Sequence, residues 1–422
     1  MKKKIIVRGP ALSRSGYGEQ CRFALRSLRA YEELFDIRIV LTGWGKTSWM
    51  IEDDEERRWI DEVAKQTIVE QQQEGFTGYD MSLQVTIPNE WERIAPVNVG
   101  YTAGIEASKV APVWLEKSRM MDRIVVVSNF AKQVFETTTY DATNTKTGEV
   151  IKDFKCVTPI AAVNYPVKYF DAANVDLKFD HDFNFLVVAQ WGVRKNVTNT
   201  IRWFAEKFKD ENVGLVLKLN MINNSFMDRF HTKSKIESVL ADMKDRKCKV
   251  HLIHGNMTDE EMTALYQHPQ IKCMISMAHG EGFGLPLFEA AYNAMPIIAP
   301  AGRGYCDFLY APVEHKKTGK VRNKALFARV DYNLAPIQQE AVWKGVLEPG
   351  VQWCYPEKSS YQSRLVEVYK DFKRFKSQAE KLQQYVEERF TAERQYKAFA
   401  EAVWGTNVEK AAAMQEEKVI VL

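Results

Sequence analysis

The sequence predicts an α/β protein built from two doubly wound parallel sheets. Short apolar runs of strand length alternate with longer amphipathic stretches of helix length. The alternation comes in two series, separated by an irregular Asp/Asn-rich stretch over residues 162–182. Glycine-rich turns follow apolar runs in both series, the position where open parallel sheets bind ligands. Strands that alternate with helices give a parallel sheet covered on both faces.

In the first series, strands are expected at 4–8, 35–41, 81–87, 97–102 and 123–128, and helices at 18–30, 52–71, 110–121 and 129–137. A polar stretch at 138–148 reads as a hairpin or loop insertion. In the second series, strands at 183–189, 213–219, 249–253, 271–277 and 296–299 alternate with helices at 197–208, 233–243, a helix opened by the capping box Thr258-Asp-Glu-Glu261, and 287–294. Beyond residue 360 the chain is charged and helical to Trp404. Domains are placed at 1–170 and 171–360, with helices over 361–422 packing back on the first.

Composition narrows the class. The 422 residues are 45% hydrophobic and 27% charged, ordinary for a globular chain with two full cores. The net charge of +3 is too small to argue for nucleic acid by itself. Met-Lys-Lys-Lys is followed by only three apolar residues, too few for a signal peptide, and no run is long enough to span a membrane. The six cysteines show no C-x2-C spacing, so a reduced, cytoplasmic protein without a cysteine zinc site is expected. No H-E-x-x-H pattern occurs, and no protein-held metal or cofactor is expected.

The most specific segment is Glu281-Gly-Phe-Gly-Leu-Pro-Leu-Phe-Glu289, between an apolar strand and an Ala-rich helix. Pro286 suits the first turn of a helix, so a helix N-terminus points at the turn. Gly282 and Gly284 let the backbone approach a ligand, and N–H groups at a helix start favour an oxygen-rich or anionic one. Glu289, one turn into the helix, can accept from the vicinal hydroxyls of a ribose, while Glu281 lies nearer the turn. A helix start with a solvated glutamate at each end is the plain alternative.

This stretch resembles the E-x7-E signature of retaining GT-B glycosyltransferases, and features similar to that family run through most of the chain. The resemblance implies two Rossmann-like domains facing each other across a cleft, with C-terminal helices crossing back. It implies a hexosyl- or pentosyltransferase that uses a nucleoside-diphosphate sugar and needs no metal. Glu281 and the N–H groups of Phe283, Gly284 and Leu285 would then position donor-sugar hydroxyls, and Glu289 the ribose. Lys195 matches the lysine of the family's G-R-x-x-x-x-K-G pattern, but Gln190 stands at the arginine position and Asn196 at the second glycine. Arg194 is the neighbouring candidate for the missing charge on the diphosphate.

The loop from Gly9 to Gly18 follows the first strand and resembles the family's loop facing the donor phosphates, which singles out Gly16 and Gly18. Ala301-Gly-Arg-Gly-Tyr-Cys-Asp307 resembles the glycine loop after the final strand. Tyr101 to Glu106 resembles the acceptor-lining segment, with Glu106 as the carboxylate, and Trp44 in Gly-Trp-Gly-Lys could stack on a sugar or a base. Asp80, Glu90 and Trp91 are weaker candidates.

The residues leave the donor open among UDP-, GDP- and ADP-sugars, with UDP-glucose first on family frequency. They leave the acceptor open among glycan, lipid-linked and modified (hydroxymethylated) DNA, the last prompted by the basic segments 314–322 and 370–376. The alternative to an active enzyme is a GT-B scaffold that binds sugar nucleotides without turnover. Stable membrane insertion is not expected, and the sequence sets no oligomeric state.

Overall fold

The computed structural model describes residues 2–143, 147–314 and 318–416. The chain divides into two compact units, Met1–Pro166 with Trp343–Glu348 and Ala392–Leu422, and Val167–Val342 with Pro349–Thr391. Each carries a six-stranded, all-parallel sheet among the described residues.

In the first unit β1 (Lys3–Gly9) leads to α1 (Gly16–Arg29), then β2 (Phe35–Leu41), α2 (Glu55–Gln71), β3 (Met81–Val85), β4 (Val97–Thr102), α3 (Pro112–Ser118), β5 (Arg123–Val126) and α4 (Asn129–Thr137). The polar stretch forms an antiparallel pair, β6 (Tyr140–Thr143) and β7 (Val150–Phe154), with 144–146 outside the described residues. β8 (Ile160–Ala162) completes the sheet in the order β2-β1-β3-β4-β5-β8. Helix α1 starts where the sequence allows it: the Ser15 hydroxyl accepts from Gly18 N at 3.0 Å, Glu19 lies in the first turn, and Arg26 and Arg29 lie in the last.

The second unit runs β9 (Asn184–Gln190), α5 (Val197–Lys207), β10 (Gly214–Asn220), α6 (Phe226–Val239), β11 (Lys249–Ile253), α7 (Asp259–Tyr266), β12 (Ile271–Ile275), α8 (Leu285–Tyr292) and β13 (Ile297–Pro300). A four-residue α9 (Cys306–Leu309) precedes the hairpin β14 (Tyr310–Glu314) and β15 (Val321–Ala325). Residues 315–317 of the basic segment 314–322 lie outside the described residues. Then come β16 (Ala328–Val330) and the antiparallel pair β17 (Tyr332–Pro336) and β18 (Gln352–Pro356). The sheet order is β11-β10-β9-β12-β13-β16. The capping box opens α7: Thr258 Oγ1 accepts from Glu261 N at 3.2 Å, and the Glu261 carboxylate from Thr258 N at 2.8 Å.

The helices after residue 357 do not pack as one group. In α10 (Lys358–Lys370) and α11 (Phe372–Arg389), Tyr361, Leu365, Val368 and Phe375 join the core of the second unit, alongside Phe185, Phe204 and Phe208. Burying side chains of this size stabilises by about 2–3 kcal/mol each, which fixes both helices there. In α12 (Ala392–Trp404), Phe399 lies 5.2 Å and Tyr396 6.0 Å from Phe23 of α1, and Trp404 meets Phe35 edge-on at 5.5 Å. The expected grouping of 361–422 with the first unit therefore splits after α11. The basic run 370–376 is part of that change, since Phe375 is buried and Lys376 donates to Ala294 O at 2.7 Å. A final helix, α13 (Val408–Glu416), ends the described chain.

Candidate active site

The second sheet reverses its winding between β9 and β12: β10 and β11 lie to one side of β9, β12, β13 and β16 to the other. Connections leaving two neighbouring strands in opposite directions open a crevice beyond their carboxyl ends. The two loops there are 191–196 and 276–284, the segments that carry Arg194, Lys195 and Glu281. They are stitched together. His279 N donates to Arg194 O at 2.8 Å, and Asn196 Nδ2 to Met277 O at 3.1 Å. Asn196, where the family has glycine, holds the left-handed conformation at φ 51°, which asparagine tolerates better than most side chains.

The three charged groups converge. Lys195 Nζ lies 2.5 Å from Glu281 Oε1 and Arg194 Nη1 3.2 Å from Glu281 Oε2. Arg194 Nη1 also donates to Gly280 O at 2.6 Å. Glu281 is 9% exposed. Burial alone would raise its pKa, but the adjacent Lys195 and Arg194 outweigh that and hold the carboxyl below its ordinary range. The site thus gathers two cations and one carboxylate, able to neutralise a diphosphate and to orient hydroxyls. Gln190 does something else: its amide donates to Met221 O at 3.1 Å and Ile222 O at 3.3 Å, tying the loop after β10.

The motif turn is shaped by backbone. Gly284 precedes α8 at φ 92°, a conformation that favours glycine, and a Cβ there would stand 3.3 Å from the Tyr305 ring. The loop after β13 packs onto the turn: Gly304 N donates to Glu281 O at 3.1 Å, and a Cβ on Gly304 would fall 1.7 Å from Gly282 O. Phe283 is 3% exposed, its ring 5.2 Å from Phe288 and 5.0 Å from Phe308, so its side chain belongs to the core. Pro286 sits in the first turn of α8. One turn on, Glu289 Oε2 accepts from the Tyr266 hydroxyl at 2.7 Å.

A histidine that the sequence reading left without a role lies beside this centre. His279 Nδ1 is 2.7 Å from Cys354 O, and Cys354 N donates to His279 O at 3.1 Å. The ring lies near parallel to Trp353 at 5.5 Å and tilted against Tyr355 at 4.5 Å. Burial, and to a lesser degree Arg194, push its pKa down, against the contact with the Cys354 carbonyl, which raises it. Its dependence on β18 left no local signal in the sequence.

In the first unit the two loop glycines differ. A Cβ on Gly16 meets nothing within 4 Å, whereas one on Gly18 would stand 1.9 Å from Ser13 O. Trp44 follows β2 and stacks on Tyr17 at 4.0 Å with 24° between planes. Glu106 is half-buried between β4 and α3. Asp80 is at the opposite, amino end of β3, accepting from Lys4 N at 2.8 Å, and Trp91 is buried under Gly100, so both are structural. Glu90 ends a single 3-10 turn, Pro88–Glu90, after β3. Among the described residues no cluster of three or more His, Cys, Asp or Glu could hold a metal ion, and no helix is long and apolar enough to cross a membrane.

No protein-family model matches the sequence, and no curated protein matches it. Solved structures do. The chain is similar to sucrose-phosphate synthase from Thermosynechococcus elongatus, with TM-score 0.59 at 11% identity over 96% of that chain and 94% of this one. It is similar to a glycosyltransferase from Rickettsia africae, with TM-score 0.55 at 15% identity over 99% of that chain and 97% of this one. It is also similar to HepE from Anabaena in complex with UDP and glucose, with TM-score 0.54 at 11% identity over 100% of that chain and 96% of this one. Such identities speak for architecture, and the architecture of this chain is the GT-B glycosyltransferase fold.

Proposed function

We propose that the protein is a retaining glycosyltransferase that moves a sugar from a nucleoside diphosphate to an acceptor hydroxyl, with the donor on the second unit. The observation that carries this reading is the convergence of Lys195 and Arg194, from the β9 loop, on Glu281, from the β12 loop, at the switch point of the sheet. A departing nucleoside diphosphate gains negative charge as the glycosidic bond breaks. Cations fixed in a half-buried crevice stabilise that charge more in the transition state than in the ground state.

Lys195 and Arg194 would bind the diphosphate, and Glu281, relieved of its ion pairs, would accept from a donor-sugar hydroxyl. The N–H groups of Phe283, Gly284 and Leu285 would hold further sugar oxygens at the start of α8, and Glu289, steadied by Tyr266, would take the ribose hydroxyls. Retention is supported by the E-x7-E pattern. The two glutamates lie along one turn and helix instead of flanking a sugar, which argues against a hydrolase pair. UDP-glucose is the first donor to try, since the HepE structure holds UDP and glucose.

The test is calorimetric titration of UDP, GDP, ADP and their hexose conjugates into the wild type and Glu289→Ala. One nucleotide bound by the wild type and weakened in the variant supports the reading. No nucleotide bound by folded protein removes it.

A further inference from the structure

We propose that the first two turns of α6, with the loop before them, form a ridge that docks the second unit on an anionic bilayer surface. The proposal is independent of the transferase reading and uses none of its site residues.

The ridge is apolar and stands out from the body. Phe226 is 79% exposed, Met227 58% and Phe230 57%, and Ile222 in the loop before them 46%. Phe226 and Phe230 lie one turn apart and share a face of the helix. Large apolar side chains exposed singly are ordinary, but these four within residues 222–230 make a patch of the kind that marks an interaction surface.

Polar bonds turn this face outward. The inward positions of α6 are Asp228, Thr232, Ile236 and Val239. Asp228 accepts from Met221 N at 2.9 Å, Ile222 N at 2.8 Å and Thr232 Oγ1 at 3.3 Å, and its carboxylate lies 2.8 Å from His254 Nε2. The Gln190 amide holds the carbonyls of Met221 and Ile222 from the other side. Hydrogen bonds to a buried carboxylate therefore fix the start of the helix, and with Asp228 inside, the two phenyl rings are held in water.

Charge selects the occupant. Arg229 and Lys233, one turn apart, run along one flank of the ridge, and His231 and Lys235 along the other, all four exposed. Lys233 Nζ is 3.7 Å from Glu237, and Lys235 Nζ lies over the Trp191 ring at 4.9 Å. Glu237, two turns beyond Phe230 on the same face, marks the end of the apolar stretch. A second copy paired antiparallel through this face about a two-fold axis would set each flank against itself, Arg229 and Lys233 against Arg229 and Lys233, so like charges oppose that occupant. A bilayer needs no matching groove. It yields around a protruding ridge, the phenyl rings enter the acyl boundary, and the flanking cations meet anionic headgroups.

The test is co-sedimentation of the full chain with vesicles of phosphatidylcholine alone and of phosphatidylcholine mixed with phosphatidylglycerol, beside light scattering of the protein without lipid. Wild type is expected on the mixed vesicles, with binding that weakens as salt is raised. The double variants Phe226→Ser/Phe230→Ser and Arg229→Glu/Lys233→Glu should each lower the partition by about tenfold or more, and Phe226→Trp, which keeps an aromatic ring, should retain it. These side chains are exposed and Asp228 is untouched, so the variants should melt with wild type. No binding to the mixed vesicles, equal binding to phosphatidylcholine alone, or equal binding by Phe226→Ser/Phe230→Ser overturns the proposal. So does a wild-type dimer that the same double variant converts to monomer, which would make the occupant a second copy. UDP titration of the same samples reports on the donor site separately.

Discussion

Lys195 Nζ stands 2.5 Å from Glu281 Oε1, and the two residues come from opposite sides of the β9–β12 switch. Without substrate the carboxylate compensates cations that are otherwise costly to hold half-buried. On the proposed function, a diphosphate would offer the same cations more negative charge and leave the carboxylate for sugar. One cluster would then serve folding and binding, and the two can be measured apart.

Lys195→Ala should lower kcat/KM by about 10²–10³, the usual cost of removing one preorganised group that stabilises developing charge. It should also cost about 2–4 kcal/mol of stability, because Glu281 is left with Arg194 as its ion-pair partner among the described residues. Adding Glu281→Gln should restore the melting temperature without restoring turnover. Unchanged UDP affinity in a folded Lys195→Ala protein would remove the diphosphate role.

The pH dependence follows from the same pair. Glu281 has a folded pKa below the unfolded glutamate value of about 4.3. Its ion-pair stabilisation is therefore fully present above that value and is lost as pH falls through the lower folded pKa. Melting of wild type and Glu281→Gln, followed from about pH 7 to about pH 3, should show a difference that shrinks on the acid side. A difference constant across that range would mean that Glu281 does not titrate with folding.

Tyr266→Phe probes the second glutamate. The hydroxyl donates to Glu289 Oε2 at 2.7 Å, and its loss should cost about 1–2 kcal/mol of stability. With Glu289 less fixed, UDP should bind about three- to tenfold more weakly, while 2′,3′-dideoxy-UDP should bind as before. Equal weakening of both nucleotides would take the ribose away from Glu289.

Much of this was legible because the signals are local. The 197–207 helix, the strands at 35–41 and 249–253 and the Thr258 capping box follow from apolar period and cap chemistry within one segment. The 281–289 segment announced a turn and a helix through Gly284 and Pro286, and the structure has both. Features made by distant pairing were not legible. β8 and β16 are three residues long and exist as strands only through β5 and β13. The hold of Tyr266 on Glu289, and of Cys354 on His279, spans residues far apart in sequence. The division of the C-terminal helices was hidden for the same reason: α11 and α12 are both amphipathic, and only the partner surfaces decide where each packs.

Glycines offer the last test, because sequence treats them alike and structure does not. Gly304→Ala would place a methyl 1.7 Å from Gly282 O and 2.9 Å from Phe283 N, both backbone atoms that no rotamer change can move. It must push the loop after β13 off the motif turn and break the Gly304 N to Glu281 O bond, at about 3 kcal/mol or more and with loss of UDP binding. Gly18→Ala, with Ser13 O 1.9 Å away, should destabilise comparably. Gly16→Ala, two residues earlier with nothing within 4 Å, should lie within about 0.5 kcal/mol of wild type. Thermal melts with and without UDP rank the three. Gly304→Ala as stable as Gly16→Ala would show that the two loops are not packed as described.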